Sequence, residues 1–438
     1  TVLNMLDLGK IPLRSGDRLN EKDSLPIVIA GGPCTVNPYP MAAFIDAFLI
    51  GDGEDAIVEL IDKIRSWKIS GDGKRLTILK EIAKIDGFYV PLIHKKDEVI
   101  KRRYVKNLDD AYYPTSPVVP YKSIVHDRVN IEVSRGCTAG CRFCQAGMIY
   151  RPLRQRSPER VLHIASESLK NTGYDELSFT SLSAGDYSHL LYVMKECNRR
   201  FGGSKISLSL PSLRVNSVNQ EILREIRSVR RTGFTIAPEA ATERLRSVIN
   251  KDFNEDDYEK ALHALFTEGW QNLKLYFMIG LPFETDSDID EIIKLIKKIR
   301  NVFHRRLTVS ISVFVPKPFT PFQWHGMEDY FLVNERLKKL KRESLRIKGL
   351  KLVHEMPKYS YMQGYFARGN RKALKIIERI FKGENFAKIF DEIKSSLYEI
   401  RAYEDYLPWE FIEHEGLSKE ALWKEYEKAK EVSQTGNI

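Results

Sequence analysis

Between residues 129 and 315 short apolar runs alternate with longer amphipathic ones, and this alternation limits the fold more than any other feature of the chain. Strand-like segments at 129–133, 176–182, 205–210, 233–237, 272–279 and 307–315 are separated by helical patterns at 158–171, 187–200, 219–230, 242–249 and 286–302. A strand followed by a helix and then another strand pairs in parallel, because the crossover returns the chain to the same end of the sheet. The expected fold is α/β: a partial six-stranded (β/α) TIM-like barrel over 129–327, with its reactive face at the C-terminal ends of the strands.

The first of these strands runs directly into Ile131-Glu-Val-Ser-Arg-Gly-Cys-Thr-Ala-Gly-Cys-Arg-Phe-Cys-Gln-Ala-Gly147, which carries Cys137, Cys141 and Cys144 as C-x3-C-x2-C. Three thiolates on one glycine-containing loop suit three irons of a cubane iron-sulfur cluster and leave the fourth iron open to another ligand. A structural zinc site is the alternative reading. It wants four ligands, commonly in C-x2-C pairs; no second pair is present, and the next histidine, His163, falls in a helical pattern. Five cysteines in 438 residues is sparse usage, as in a reducing compartment, which argues against disulfides. Cys197 sits in an apolar helical pattern and reads as a core thiol.

The flanks differ from the barrel. Over residues 1–105, Ile27-Val-Ile-Ala30 runs into Gly31-Gly-Pro33 and Ala47-Phe-Leu-Ile50 into Gly51-Asp-Gly-Glu54, followed by helical spacing at Ile57, Leu60, Ile61 and Ile64. This suggests part of a doubly wound, Rossmann-like domain, whose strand-exit glycines serve either a ligand or a turn. Because the chain starts in what reads as the middle of an amphipathic helix, a preceding segment is expected. Residues 106–128 form a connector too rich in proline for a helix or a central strand. From 328 to 438 the pattern is charged and helical, with apolar positions at helical spacing in 330–347 and 371–399; it suits a cap on the barrel or a partner-binding extension equally.

Charge adds a weak pointer. Lys and Arg exceed Asp and Glu by 69 to 59, a net +10, which fits an RNA or other polyanionic substrate and equally a surface laced with ion pairs. No run of about 18 apolar residues and no charged-then-apolar leader is present, so the expectation is a cytoplasmic protein with no membrane association.

The cysteine spacing with Phe143 before its last member, at the first strand of a six-fold βα array, resembles the radical S-adenosylmethionine (radical SAM) superfamily. Phe277-Met-Ile-Gly-Leu-Pro-Phe-Glu-Thr285 is similar to that family's fifth-strand signature. Val313-Phe-Val-Pro-Lys-Pro-Phe-Thr-Pro-Phe322 is similar to the sixth-strand segment of a branch related to methylthiotransferase-type and YgiQ-like proteins with a cobalamin-binding-like N-terminal domain. The resemblance implies that Cys137, Cys141 and Cys144 ligate a [4Fe-4S] cluster, that SAM chelates the open iron, and that one electron cleaves SAM to methionine and a 5′-deoxyadenosyl radical. It also implies a flavodoxin- or ferredoxin-type electron donor.

SAM contacts implied by the resemblance are Phe143 at the adenine, Ser183 or Asp186 in Ser181-Leu-Ser-Ala-Gly-Asp186 at the amino group, Glu239 in Ala237-Pro-Glu239 at the ribose, Arg244 or Arg246 at the carboxylate, and Gly280 in the fifth-strand motif. Each has a plainer reading: a turn for Ser183 and Asp186, solvated helix charges for the arginines. Ser209-Leu-Pro-Ser212 and Arg214 point to the same mouth or to a strand-end turn. Only Cys34 precedes the triad, whereas methylthiotransferases carry three N-terminal cysteines, and the helical tail does not resemble their RNA-binding β-barrel. Asp-x-His-x-x-Gly, which would bring an axial histidine to cobalamin, is absent, leaving cobalamin a candidate cofactor without that ligand. The leading expectation is a radical SAM enzyme that modifies an unreactive carbon, with methyl transfer favoured. The alternatives are a methylthiotransferase-like enzyme acting on RNA or protein, and a non-catalytic iron-sulfur scaffold.

Overall fold

The structure is a computed structural model that describes residues 1–20, 25–70, 73–96, 98–122, 124–210, 213–218, 220–227, 233–251 and 253–435. The chain divides into two compact units, one of residues 1–106, 315–327 and 358–424, the other of 107–314, 328–357 and 425–438.

The second unit is the partial barrel. Its strands are Val129–Glu132, Glu176–Thr180, Ser207–Ser209, Phe234–Glu239, Asn272–Ile279, Arg306–Val313 and Leu350–His354. All of them pair in parallel, the first three in one sheet and the last four in another. Side chains on the fifth strand alternate between buried and half-buried, so one face fills the barrel interior while the other packs under helices. Isoleucines at 289, 292, 293, 296 and 299 do the same for the Asp286–Val302 helix, which Thr285 and Asp288 start with a reciprocal capping box.

Two elements of this unit go beyond the sequence expectation. The seventh strand, Leu350–His354, lies in the stretch read as wholly helical; Gly349, at φ +79°, ends the preceding turn, and the alternating Leu350 and Leu352 then add to the sheet edge beside Leu307 and Val309. A helix at Glu255–Thr267 precedes the fifth strand, capped by Asn254 and Asp257. The helix expected at 219–230 is seen as Gln220–Arg227, and its remainder lies outside the described residues, as do Pro211 and Ser212 of the third-strand segment.

The first unit holds a small sheet in which Ile29–Ala30 runs parallel to Ala47–Leu49 while Phe88–Tyr89 adds an antiparallel edge. Its core gathers Leu49, Leu60, Ile78, Leu79, Ile82 and Phe88. Beside it the buried Asp46 carboxylate meets Arg18 at 3.0 Å and Arg75 at 2.7 Å, so the two cations share one anion with further backbone acceptors. The C-terminal stretch returns to this unit: Ile412–Glu413 pairs in parallel with Ile100–Lys101, and the segment expected as one helix at 371–399 is broken at Gly383, φ +83°, into Ala373–Phe381 and Phe386–Tyr398. No helix among the described residues is long and apolar enough to cross a membrane.

Candidate active site at the cysteine loop

The cysteines occupy a loop closed at its base by a two-residue clasp, Ser134–Arg135 against Arg154–Gln155 in antiparallel pairing. Gly136 begins the loop at φ +94°, and a Cβ there would sit 2.7 Å from the Pro152 carbonyl oxygen and 2.8 Å from that of Tyr150, so only glycine allows the two ends to approach. The last cysteine opens a short helix, Gln145–Ile149, and its Sγ accepts the Gly147 N–H at 3.3 Å. Cys137 Sγ accepts the Ala139 N–H at 3.5 Å. Amide donors of this kind lower the charge on a coordinated thiolate.

The loop is held from a distance by the turn after the fourth strand. Asn250 Nδ2 donates to the Gly140 carbonyl at 3.0 Å, and the Arg142 guanidinium caps the carbonyls of Ser247 and Val248 at the end of the Glu243–Val248 helix, both at 2.9 Å. Glu425 closes the other side of Arg142 at 3.1 Å. Neither Asn250 nor Arg142 was singled out in the sequence, because their roles depend on partners about a hundred residues away.

Electrostatically the three thiols and two cations form one group. Burial pushes the Cys141 thiol up, Lys251 and Arg214 pull it down, and Cys144 and Cys137 oppose its ionisation. Burial likewise pushes Cys144 up; the Gly147 N–H and Lys251 act against it, while Cys137 and Glu239 add to it. Lys251 also pairs with Glu239 at 3.7 Å, and that carboxyl is held above its ordinary range by burial, with Lys251 opposing. Lys251 thus acts on two of the thiols and on the Glu239 carboxyl, and no sequence signal marked it.

Glu239 sits where the fourth strand slips register against the fifth, at φ +66°, a backbone conformation costly for a side-chain-bearing residue. Such strain is characteristic of residues aimed by the surrounding fold. Asp186 meets Arg214 at 3.7 Å and accepts from the Ser217 hydroxyl at 3.4 Å, which ties the second-strand exit to the cation near Cys141. Ser183 is buried and its hydroxyl has no partner among the described residues. Phe143 is half-buried on the cysteine loop.

The remaining candidates lie elsewhere. Arg244 donates to Asp288 and to the Phe283 carbonyl, and Arg246 donates to the Ala241 carbonyl and lies over the Phe253 ring, so the partners of both are outside the cysteine loop. Gly280, at φ +71°, donates its N–H to Glu284 at 2.7 Å. Glu284 in turn meets Arg336 at 2.9 Å, and burial pushes its carboxyl up to about 8 against those two favourable contacts. The fifth-strand motif therefore closes on itself. Cys197 is a core thiol, 1% exposed and pushed up to about 12 by burial.

The donor set fits a cluster better than a single ion. Three cysteines on one glycine-containing loop would each take one iron of a cubane and leave the fourth iron open. Two N–H donors to sulfur and two nearby cations suit the negative charge such a group would carry.

Comparison with known proteins gives the same answer. Residues 131–296 match the radical SAM superfamily, and residues 1–91 match the N-terminal region of radical SAM proteins. The Methanocaldococcus jannaschii protein MJ0966 is 32% identical over 387 residues, 87% of this chain and 78% of its own length. The M. jannaschii protein MJ0865, named as a methylthiotransferase, is 25% identical across 47% of each chain. A Pyrococcus horikoshii protein named as a methyltransferase, PH0819, is 24% identical over 71% of this chain and 64% of its own. The chain thus spans less than two thirds of the last two relatives, and about half of MJ0865. With the cysteine loop at the end of the first barrel strand and this agreement over most of its length, the chain belongs to the radical SAM superfamily.

Proposed function

We propose that Cys137, Cys141 and Cys144 hold the [4Fe-4S] cluster of this radical SAM enzyme, and that SAM lies between the cysteine loop, Glu239 and the Ser183–Asp186 turn. The observation that carries the reading is the Lys251 ammonium, within electrostatic reach of Cys141 and Cys144 and 3.7 Å from Glu239. When bound, the cluster and SAM supply a one-electron reductive cleavage that delivers a carbon-centred radical to the substrate. The chain's own part is positional. Lys251 offsets the negative charge of three thiolates and orients Glu239 toward the ribose hydroxyls. Asp186, oriented by Arg214 and Ser217, accepts from the SAM ammonium, and Phe143 offers its backbone and ring to the adenine.

The reaction we favour is methyl transfer to an unreactive carbon, in the cytoplasm, with electrons from a flavodoxin- or ferredoxin-type donor and with residues 1–105 acting as part of a cobalamin-binding-like domain. Support comes from the likeness to a named methyltransferase over 71% of the chain, well beyond the barrel. Methylthio transfer to RNA or protein is the second reading, supported by the likeness to a named methylthiotransferase and by the net charge of +10.

Anaerobic reconstitution tests both. The reduced, iron-loaded protein is expected to release 5′-deoxyadenosine from SAM, and cobalamin is expected to bind and change its absorption spectrum. Full iron and sulfide loading without SAM cleavage under any reductant would refute the SAM-site assignment; cleavage without cobalamin binding would favour methylthio transfer.

A further inference from the structure

We propose that a second cleft of the barrel unit, between the Glu255–Thr267 and Asp286–Val302 helices, binds a small organic carboxylate. The cleft has a cavity of about 220 Å3 and is lined by Pro238, Arg246, Phe253 and Tyr258 among others. Pro238 precedes Glu239 on the fourth strand, so the cleft lies behind the strand end whose other face presents Glu239.

Two buried donors in this cleft lack acceptors. Arg246 is 7% exposed; one of its Nη atoms donates to the Ala241 carbonyl at 2.7 Å and its plane lies 5.0 Å from the Phe253 ring centre, yet its Nε–H has no partner. Among the described residues no carboxylate forms an ion pair with it, which is unusual for a guanidinium this deeply placed. Tyr258 is 4% exposed and its hydroxyl is likewise without a partner. Two unmet donors call for a ligand that only accepts hydrogen bonds.

The charges on the wall narrow its class. Glu255 is held by Lys298 and Glu291 by Lys294, and Glu243 and Glu255 act on the guanidinium only through space, so it keeps its Nε–H to offer an acceptor. One planar carboxylate matches the fork of an arginine, while a more highly charged phosphate would be repelled by the three glutamates. A space of about 220 Å3 takes an acid of a few carbons and excludes a nucleotide. The Lys251 N–H donates to the Arg246 carbonyl at 2.8 Å, so an occupant braces the same turn from which Asn250 and Lys251 reach the cysteine loop and Glu239.

Calorimetric titration of the full chain with acetate, and separately with inorganic phosphate, tests this. Acetate is expected to bind saturably, with affinity reduced about tenfold or more by Arg246→Met and by a smaller factor by Tyr258→Phe, since a charged contact outweighs a neutral one. A variant with Cys137, Cys141 and Cys144 all changed to alanine should keep its acetate affinity, which separates this cleft from the cluster site. If Arg246→Met fails to fold, Tyr258→Phe carries the test alone. Absence of saturable acetate binding, affinity unchanged in the folded variants, or tighter binding of phosphate through the same residues would overturn the proposal.

Discussion

The cysteine loop and the fifth-strand Gly280-Leu-Pro-Phe-Glu-Thr285 turn both stand out in the sequence, yet they resolve their polar groups in opposite ways. At the fifth strand every demand is met internally: Glu284 receives the Gly280 N–H and Arg336, and Asp288 receives Thr285 and Arg244. At the cysteine loop the demands stay open, with a buried Ser183 hydroxyl lacking a partner, a strained Glu239 and three thiols held near two cations. A motif that satisfies itself builds the fold, whereas one left with unmet groups is where a ligand belongs.

Substitutions on the two sides should therefore fail differently. Cys141→Ala is expected to lose nearly all bound iron and the brown absorbance while the protein stays folded, because two thiolates do not hold a cubane; full iron content would remove Cys141 from the ligand set. Glu284→Ala should do the reverse, lowering stability by about 1–3 kcal/mol in denaturant melts, since it leaves the buried Gly280 N–H without its acceptor while Arg336 keeps Asp286 and Glu328. Glu239→Gly separates strain from function. It relieves a positive-φ residue and should leave stability within about 1 kcal/mol of the parent, while weakening SAM binding by about 1.5–3 kcal/mol through the lost charged acceptor. A stability loss well beyond that would make Glu239 a structural residue like Glu284.

The last effect is a pH dependence. Burial raises the folded Glu284 carboxyl to about 8, so the folded chain holds a proton that the unfolded chain has released. Its contribution to stability is then present below the unfolded carboxylate range and is lost as pH rises toward about 8. Across that window Glu284 costs the parent up to about 1.4 kcal/mol per pH unit, and Glu284→Gln should flatten this slope in melts at successive pH values. Parallel slopes would show that Arg336 keeps Glu284 ionised throughout.

Much of the barrel was legible because its period is strict: the strands at 272–279 and 307–315 are found at Asn272–Ile279 and Arg306–Val313. Short or capped elements were harder. The Leu350–His354 strand is five residues at a sheet edge, too brief for its alternation to stand out from the helical pattern before it. The Glu255–Thr267 helix was missed, although Asn254 and Asp257 have the spacing of a capping box. At the candidate site, spacing singled out the thiols and a motif singled out Glu239. Lys251, Asn250 and Arg142 gave no such signal, since each acts on loop residues far away in the sequence that the fold brings to it. Arg244 shows the converse, its helix position suggesting a ligand while its side chain turns to Asp288.

The reach of Asn250, 111 residues along the chain to the Ala139 carbonyl, also sets an order of events during synthesis. A nascent chain that has just exposed its three thiols has nothing yet to shape the loop around them. At about 5–20 residues per second, roughly 5–20 s pass before the turn that clamps the loop has left the ribosome. Metal delivered earlier meets three cysteines on an unclamped stretch, residues 137–144, rather than a site, so maturation should be timed to the completion of the fourth strand and its helix.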